Sequence, residues 1–303
     1  MRGTSAEAGT EDGDSAAPEA GDGISARRRG AGILGRLLIV ASVLAVGAGG
    51  VWVVTAAVTP EAGPTTMEIP ALEVAAAEVE PGSVAPVNTT LAGGKAAAGG
   101  ATERPDPPAE QRSGPQSIAE WAARTEPAVG VPARALMAYG HAELALRSAQ
   151  PGCRVSWATL AGIGRIESNH GRYGGAVFGA DGRPSKPIIG VPLDGSPGVK
   201  AITDTDGGRF DGDARHDRAV GPMQFIPSTW ARYAADGNGD GRGDPQQIDD
   251  AALAAAHYLC ADGRDMAGAQ GWWAGVMSYN HSVEYAQKVF GLADRYAKAA
   301  RGR

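Results

Sequence analysis

Large side chains are nearly absent from the first part of this 303-residue chain, where Trp52 is the one aromatic residue before Trp121. Without aromatics to anchor it, a sizeable core cannot form there, so the folded domain is expected in the C-terminal part. A basic surplus is missing as well. Residues 1–115 carry 8 basic and 14 acidic side chains and residues 116–303 carry 20 of each, so the net charge of −6 belongs to the N-terminal part. A formally neutral globular part leaves no electrostatic footprint for nucleic acid, which is not expected as a partner. The histidines, at 141, 170, 216, 257 and 281, lack metalloprotease spacing, and there is no Gly-x-Ser-x-Gly elbow. Zinc peptidase and serine hydrolase chemistry are thereby disfavoured. Cysteine is limited to Cys153 and Cys260, too few for a zinc site. In an oxidising compartment such a pair is expected to bridge, worth about 4–5 kcal/mol in the chain-entropy model, with two buried thiols as the alternative.

Charge is also missing from residues 37–58, a run of 22 positions that is long enough to cross a membrane as a helix. Arg27, Arg28, Arg29 and Arg36 precede it, and no Lys or Arg follows before Lys95. The positive-inside rule therefore assigns residues 1–36 to a disordered cytoplasmic tail and places everything after 58 outside the cell membrane. A cleaved signal peptide is the alternative, against which stand the long acidic lead and the length of the run. Residues 59–115, rich in Pro, Gly and Ala and without an aromatic, read as a disordered linker. Residues 116–303 then form the exported domain.

Helical signals dominate that domain. Ser117 and Glu120 have capping-box spacing, and Pro132 precedes a run that ends at Pro151-Gly152. Ser156 can cap a helix from Trp157 to about Ser168, and further helices are expected from about Ile248 to Cys260 and from Ser282 to Ala299. In the last of these Val283, Ala286, Val289, Phe290, Ala293 and Tyr296 form a core stripe. Residues 170–215, dense in Gly and Pro, read as loops with a short hairpin that shape a groove. The fold class is mainly α with a loop-rich insertion.

Glu167 shares a helical face with Leu160, Ile163 and Gly164, so its carboxyl is expected to be partly buried. It also lies in the last helical turn, where the dipole opposes its charge. Both effects favour the protonated form that a general acid needs. From position alone, the alternative is a Glu held by Arg165 or Arg172 at a helix end.

The order of motifs adds to this. Ile163-Gly-Arg-Ile-Glu167-Ser-Asn-His-Gly171 is followed by Ala219-Val-Gly-Pro-Met-Gln-Phe-Ile-Pro-Ser-Thr-Trp230 and then by Met277-Ser-Tyr-Asn280. Over about residues 152–295 this resembles the lytic murein transglycosylases with a lysozyme-like fold, most closely the membrane-bound lytic murein transglycosylase B family. The resemblance implies cleavage of the bond between N-acetylmuramic acid and N-acetylglucosamine in peptidoglycan strands. Glu167 would be the sole acid/base and the product a 1,6-anhydromuramyl end. It also implies that Gln224 lines the groove and that Tyr279 and Asn280 face Glu167 and hold an acetamido group. For Gln224 and Asn280 the alternative is a side chain that ties down loop backbone. One departure matters. The family often has a hydroxyl residue shortly before the Gln, whereas residues 207–220 contain none and offer Asp211, Asp213, His216 and Asp217. Such acids could serve a hydrolase as its second carboxylate. A non-catalytic glycan-binding scaffold is the rival from another class.

Asp236, Asn238, Asp240 and Asp244 occupy positions 1, 3, 5 and 9 of an EF-hand-type loop, with the Arg242 carbonyl at 7 and Gln247 at 12. Gln in place of the bidentate Glu predicts weak, structural Ca²⁺ binding, with Kd on the order of 10⁻⁴–10⁻³ M, unless Asp249 or Asp250 reaches in. A metal-free turn is the alternative, and the chemistry itself needs no cofactor. Asp204, Asp206, Asp211 and Asp213 read as a solvated loop. Of the adjacent Trp272 and Trp273, which could stack on sugar rings, one is expected in the core.

Overall fold

The computed structural model describes residues 74–86 and 117–301. The expected cytoplasmic tail (1–36), the membrane helix expected at 37–58 and most of the linker lie outside the described residues. Among the described residues no helix is long and apolar enough to cross a membrane. The architecture is mainly helical: α1 (Ile118–Val129), α2 (Ala133–Ala149), α3 (Trp157–Ser168), β1 (Ile189–Pro192), β2 (Arg218–Val220), α4 (Pro227–Tyr233), α5 (Ile248–Leu259), α6 (Ala269–Tyr279) and α7 (Val283–Arg301).

The helices start at their capping residues. Ser117 Oγ accepts the Glu120 N–H at 3.2 Å while Glu120 Oε2 accepts the Ser117 N–H at 3.1 Å, which closes the capping box of α1. Ser156 Oγ accepts the Thr159 N–H at the head of α3. The carboxylate of Glu143, buried in α2, takes the Trp157 N–H at 2.8 Å and adds negative charge where the helix dipole favours it.

Helix α3 is the centre of the domain, buried along its whole length except at Arg165, and packed against α2 and α7. Two glycines allow that approach. A Cβ on Gly162 would lie 3.0 Å from the Val289 carbonyl of α7, and one on Gly164 would overlap the Tyr139 hydroxyl of α2 at 2.1 Å. On α7 the buried face runs through Tyr285, Ala286, Val289, Leu292, Ala293 and Tyr296. Val283, expected on the core stripe, is instead exposed at the first residue of the helix. A disulfide joins Cys153, ahead of α3, to Cys260, at the end of α5.

Between α3 and α4 the chain forms the loop-rich insertion, with β1 and β2 antiparallel and Ile189 opposite Val220. Aspartates hold its turns. Asp204 accepts the N–H groups of Asp206, Gly207 and Gly208, and Asp206 those of Arg209 and Phe210.

Part of the stretch expected to be a disordered linker is ordered. Residues 74–86 run without regular secondary structure along α6 and α7, with Val74, Val79 and Ala85 packed on the core. The Ala77 N–H donates to the Gln287 carbonyl, the Gln287 side chain donates to the Val79 carbonyl at 2.8 Å, and Trp273 Nε1 donates to the Ser83 carbonyl at 3.0 Å. Small side chains that cannot build a core of their own here complete one supplied by α6 and α7.

Candidate active site

Glu167 sits one residue from the end of α3 and is 3% exposed. Its Oε1 accepts the Tyr285 hydroxyl at 2.6 Å. Beyond it the helix stops abruptly, because Asn169, His170 and Gly171 all take left-handed backbone with φ of 53°, 57° and 77°. Ser168 fastens this end to the next motif: its Oγ donates to the Pro222 carbonyl at 2.6 Å and accepts the Gly171 N–H at 2.7 Å.

That motif is a tight turn. Val220 and Phe225 exchange backbone hydrogen bonds at 2.9 Å, and Gly221 to Gln224 close the reversal, Gly221 with φ 79° and Gln224 with φ 50°. Gln224 is buried, and its Nε2 donates to the carbonyls of Gly221 at 2.9 Å and Ala219 at 3.4 Å. Its side chain therefore holds the turn while it also lines a cleft of about 150 Å³. Phe225, Ile226, Tyr258, Tyr279 and His281 form much of the remaining wall.

Tyr279, at the end of α6, belongs both to the cleft wall and to the surroundings of Glu167. Its hydroxyl donates to the Met223 carbonyl at 2.7 Å. Burial and then the negative charge of Glu167 push that hydroxyl well above the usual phenol range, so Tyr279 stays protonated and acts as a donor. Asn280, which ends α6, is buried. Gln224 and Tyr279 thus share one cleft wall, and Glu167, which is not part of that wall, acts on the Tyr279 hydroxyl through its charge.

Tyr285 was hidden in the sequence. It shares the i, i+4, i+7 and i+11 spacing of Val289, Leu292 and Tyr296 and so reads as core. Spacing alone cannot show that its hydroxyl meets a buried acid.

The three candidate second carboxylates are engaged elsewhere. Asp217, fully buried, accepts both the Thr205 N–H at 2.8 Å and the Thr205 hydroxyl at 2.7 Å. Asp211 accepts the N–H groups of Asp213 and Arg218. Asp213 pairs with Arg218 at 2.9 Å, and the Arg215 N–H together with that arginine holds its carboxyl below the usual range. Oxygens of Asp204, Asp206 and Asp217 lie within 4.8 Å of one another. The indoles of Trp272 and Trp273 are both buried, so the pair belongs to the core rather than to a sugar platform.

The EF-hand-type loop is shaped by its own side chains. Asp236 accepts the N–H groups of Gly239, Asp240 and Gly241, Asn238 that of Asp240, and Asp240 that of Arg242. These exposed oxygens suit a hard cation. Gln247 is not brought to them. It caps α5 by accepting the Asp250 N–H, and its Nε2 is spent on the Asp181 carbonyl and Asp249. Asp244 forms an ion pair with Arg183. Asp249 pairs with Arg134, whereas Asp250 reaches the loop backbone and accepts the N–H groups of Gly237, Asn238 and Asp244.

The class of site is therefore one buried carboxyl at the end of a central helix, bonded to a tyrosine and flanked by a Gly-Pro-Met-Gln turn that walls a cleft. Residues 217–276 match the family model described as a transglycosylase SLT domain. No curated protein matches the sequence. Among solved structures the chain is similar to the Escherichia coli lytic transglycosylase SLT35 in complex with bulgecin A, at 15% identity, covering 59% of this chain and 79% of that one with a TM-score of 0.33. The same enzyme in complex with calcium is 16% identical, with equal coverage and a TM-score of 0.34. SltB3 from Pseudomonas aeruginosa, in complex with NAG-anhNAM-pentapeptide, is 22% identical, covering 48% of this chain and 41% of that one with a TM-score of 0.25.

Proposed function

We propose that this chain is a peptidoglycan lytic transglycosylase of the membrane-bound lytic murein transglycosylase B type, with Glu167 as its one acid/base. The observation that carries the reading is the Glu167 carboxyl, 3% exposed and held at 2.6 Å by Tyr285, at the end of a central helix whose next residue, Ser168, is bonded to the turn that carries Gln224. The match of residues 217–276 to a transglycosylase domain model supports it.

In this mechanism the protonated Glu167 gives its proton to the glycosidic oxygen between N-acetylmuramic acid and N-acetylglucosamine. The C1–O bond breaks with its electron pair leaving on that oxygen. The resulting carboxylate takes the proton of the muramyl 6-hydroxyl as O6 attacks C1, which closes the 1,6-anhydro ring and returns Glu167 to its acid form. No water is consumed and no second carboxylate is needed. A hydrolytic muramidase would need one, and the engagement of Asp211, Asp213 and Asp217 in loop structure weighs against that reading. Tyr279 and Asn280 are assigned to holding the acetamido group and Gln224 to the groove wall.

The enzyme is proposed to act outside the bacterial cell membrane, anchored by residues 37–58, on glycan strands within reach of the linker. Ca²⁺, if taken up, would rest on Asp236, Asn238, Asp240 and the Arg242 carbonyl as a structural ion. The deciding experiment is mass spectrometry of fragments released from purified peptidoglycan by the full chain in detergent, beside Glu167→Gln. Fragments one water lighter than hydrolysis products, absent with the variant, establish the lytic reaction. Full-mass reducing fragments establish a hydrolase, and glycan binding without turnover a scaffold.

A further inference from the structure

A second cleft, of about 370 Å³, adjoins the first, and Thr229 and Tyr258 line both. Ser228, Arg232, Tyr233, Asp262 and Arg264 complete its wall. A row of rings connects the two. Tyr279, in the first cleft, meets Tyr258 edge-on at 5.4 Å, and Tyr258 meets Tyr233 at 5.0 Å.

The second cleft carries two arginines against one aspartate. Arg232 is exposed, its guanidinium rests 5.2 Å from the centroid of the Tyr233 ring, and it has no ion pair among the described residues. Arg264 is held by the carbonyls of Tyr258 and Leu259 at the end of α5 and pairs at 3.2 Å with Asp262, which is 76% exposed. Two oriented guanidinium groups with the hydroxyls of Ser228 and Thr229 make a donor set for a carboxylate. A peptidoglycan glycan is otherwise uncharged, and its carboxylates are those of the peptide carried by each muramyl residue.

We propose that this second cleft binds a carboxylate of the stem peptide attached to the muramyl residue seated beside it. The proposal rests on the transglycosylase reading, and names the part of the substrate that reading leaves open. The row of tyrosines is the path between the two subsites, and Arg232 and Arg264 are the specificity determinants.

The test compares peptide-bearing peptidoglycan with the same material whose peptide carboxylates have been capped as amides by carbodiimide coupling to ammonia, using the full chain, Arg232→Glu and Arg264→Gln. The parent should favour the uncapped over the capped strands in kcat/KM. Each variant should lower that preference roughly tenfold, mainly through KM, and high salt should narrow it in the parent. The same substitutions in a Glu167→Gln background are then scored for retention on both strand types, a readout that needs no turnover. Loss of the retention difference with Arg232→Glu supports the site. Equal retention of uncapped and capped strands by the Glu167→Gln chain overturns it. A parent that makes no anhydro product fails the transglycosylase reading, while the retention measurement still decides the cleft.

Discussion

The Tyr285 hydroxyl donates to Oε1 of Glu167 at 2.6 Å across 118 positions of sequence, and so ties the acid at the end of α3 to the first turn of α7. The two helices can approach because Gly162 leaves room for the Val289 backbone. The placement of the reacting oxygen is thus a property of helix packing. Tyr285→Phe removes one bond to a carboxyl group, typically about 1.5–3 kcal/mol, and leaves the ring in the core. Its kcat on purified strands is expected to fall about tenfold or more with little change in KM and an unchanged far-UV circular dichroism spectrum. Glu167→Gln is expected to lose at least about 10²-fold. Wild-type turnover by Tyr285→Phe would remove the tyrosine from the mechanism.

The disulfide between Cys153 and Cys260 spans 107 positions and joins the segment that enters α3 to the end of α5. Replacing both cysteines with Ser should cost about 2–5 kcal/mol. Chemical denaturation should show a lower midpoint, and reductant should shift the parent toward the variant. A parent whose midpoint ignores reductant would mean that the native packing, not the bridge, sets the stability.

The main elements were legible in sequence because their signals are local. Ser117 and Ser156 mark helix starts, and Glu167 is marked by the apolar face it shares. What escaped is tertiary. Tyr285 has core spacing, and only the fold shows where its hydroxyl points. Gln247 stands at position 12 of a metal-loop pattern, but the Asp181 carbonyl and the Asp250 N–H claim its side chain. Residues 74–86 have the composition of a tether, and they become ordered through hydrophobic surface and hydrogen-bonding groups that α6 and α7 supply.

That ordered segment carries its own prediction. Deleting residues 74–86 from the full chain uncovers Trp273 and strands the indole N–H now bonded to Ser83. Given the partial burial of Val74, Val79 and Ala85, the loss should be about 1–3 kcal/mol. Trp fluorescence should shift to the red and the melting temperature should fall. An unchanged melting temperature would show that the segment contributes nothing to the domain.

His170 should make stability depend on pH. It is buried between Tyr139, whose hydroxyl is 3.3 Å from Nδ1, and Tyr296, 3.4 Å from Nε2. Burial first, then Arg172 and Arg165, hold its pKa well below the usual histidine value. The unfolded chain binds a proton below about pH 6.5 where the folded chain does not, so stability is complete above that pH and falls by up to about 1.4 kcal/mol per unit below it. Half-buried His257 is shifted the same way. The melting temperature should drop between pH 7 and pH 5. His170→Asn, which tolerates the left-handed backbone at this position, should flatten that slope.

The engaged aspartates separate the two glycosidic chemistries. If Asp211, Asp213 and Asp217 serve only the insertion, replacing each with Asn leaves a carbonyl oxygen for some of the same bonds. Each variant should still yield fragments one water lighter than hydrolysis products, at rates within about tenfold of the parent. The largest loss is expected for Asp217→Asn, because that carboxylate is fully buried and takes two bonds from Thr205. A hydrolase that relied on one of these acids would lose about 10²–10⁴-fold on its replacement while keeping its fold. Such a loss, confined to one position, would make that aspartate the second carboxylate and end the case for Glu167 acting alone.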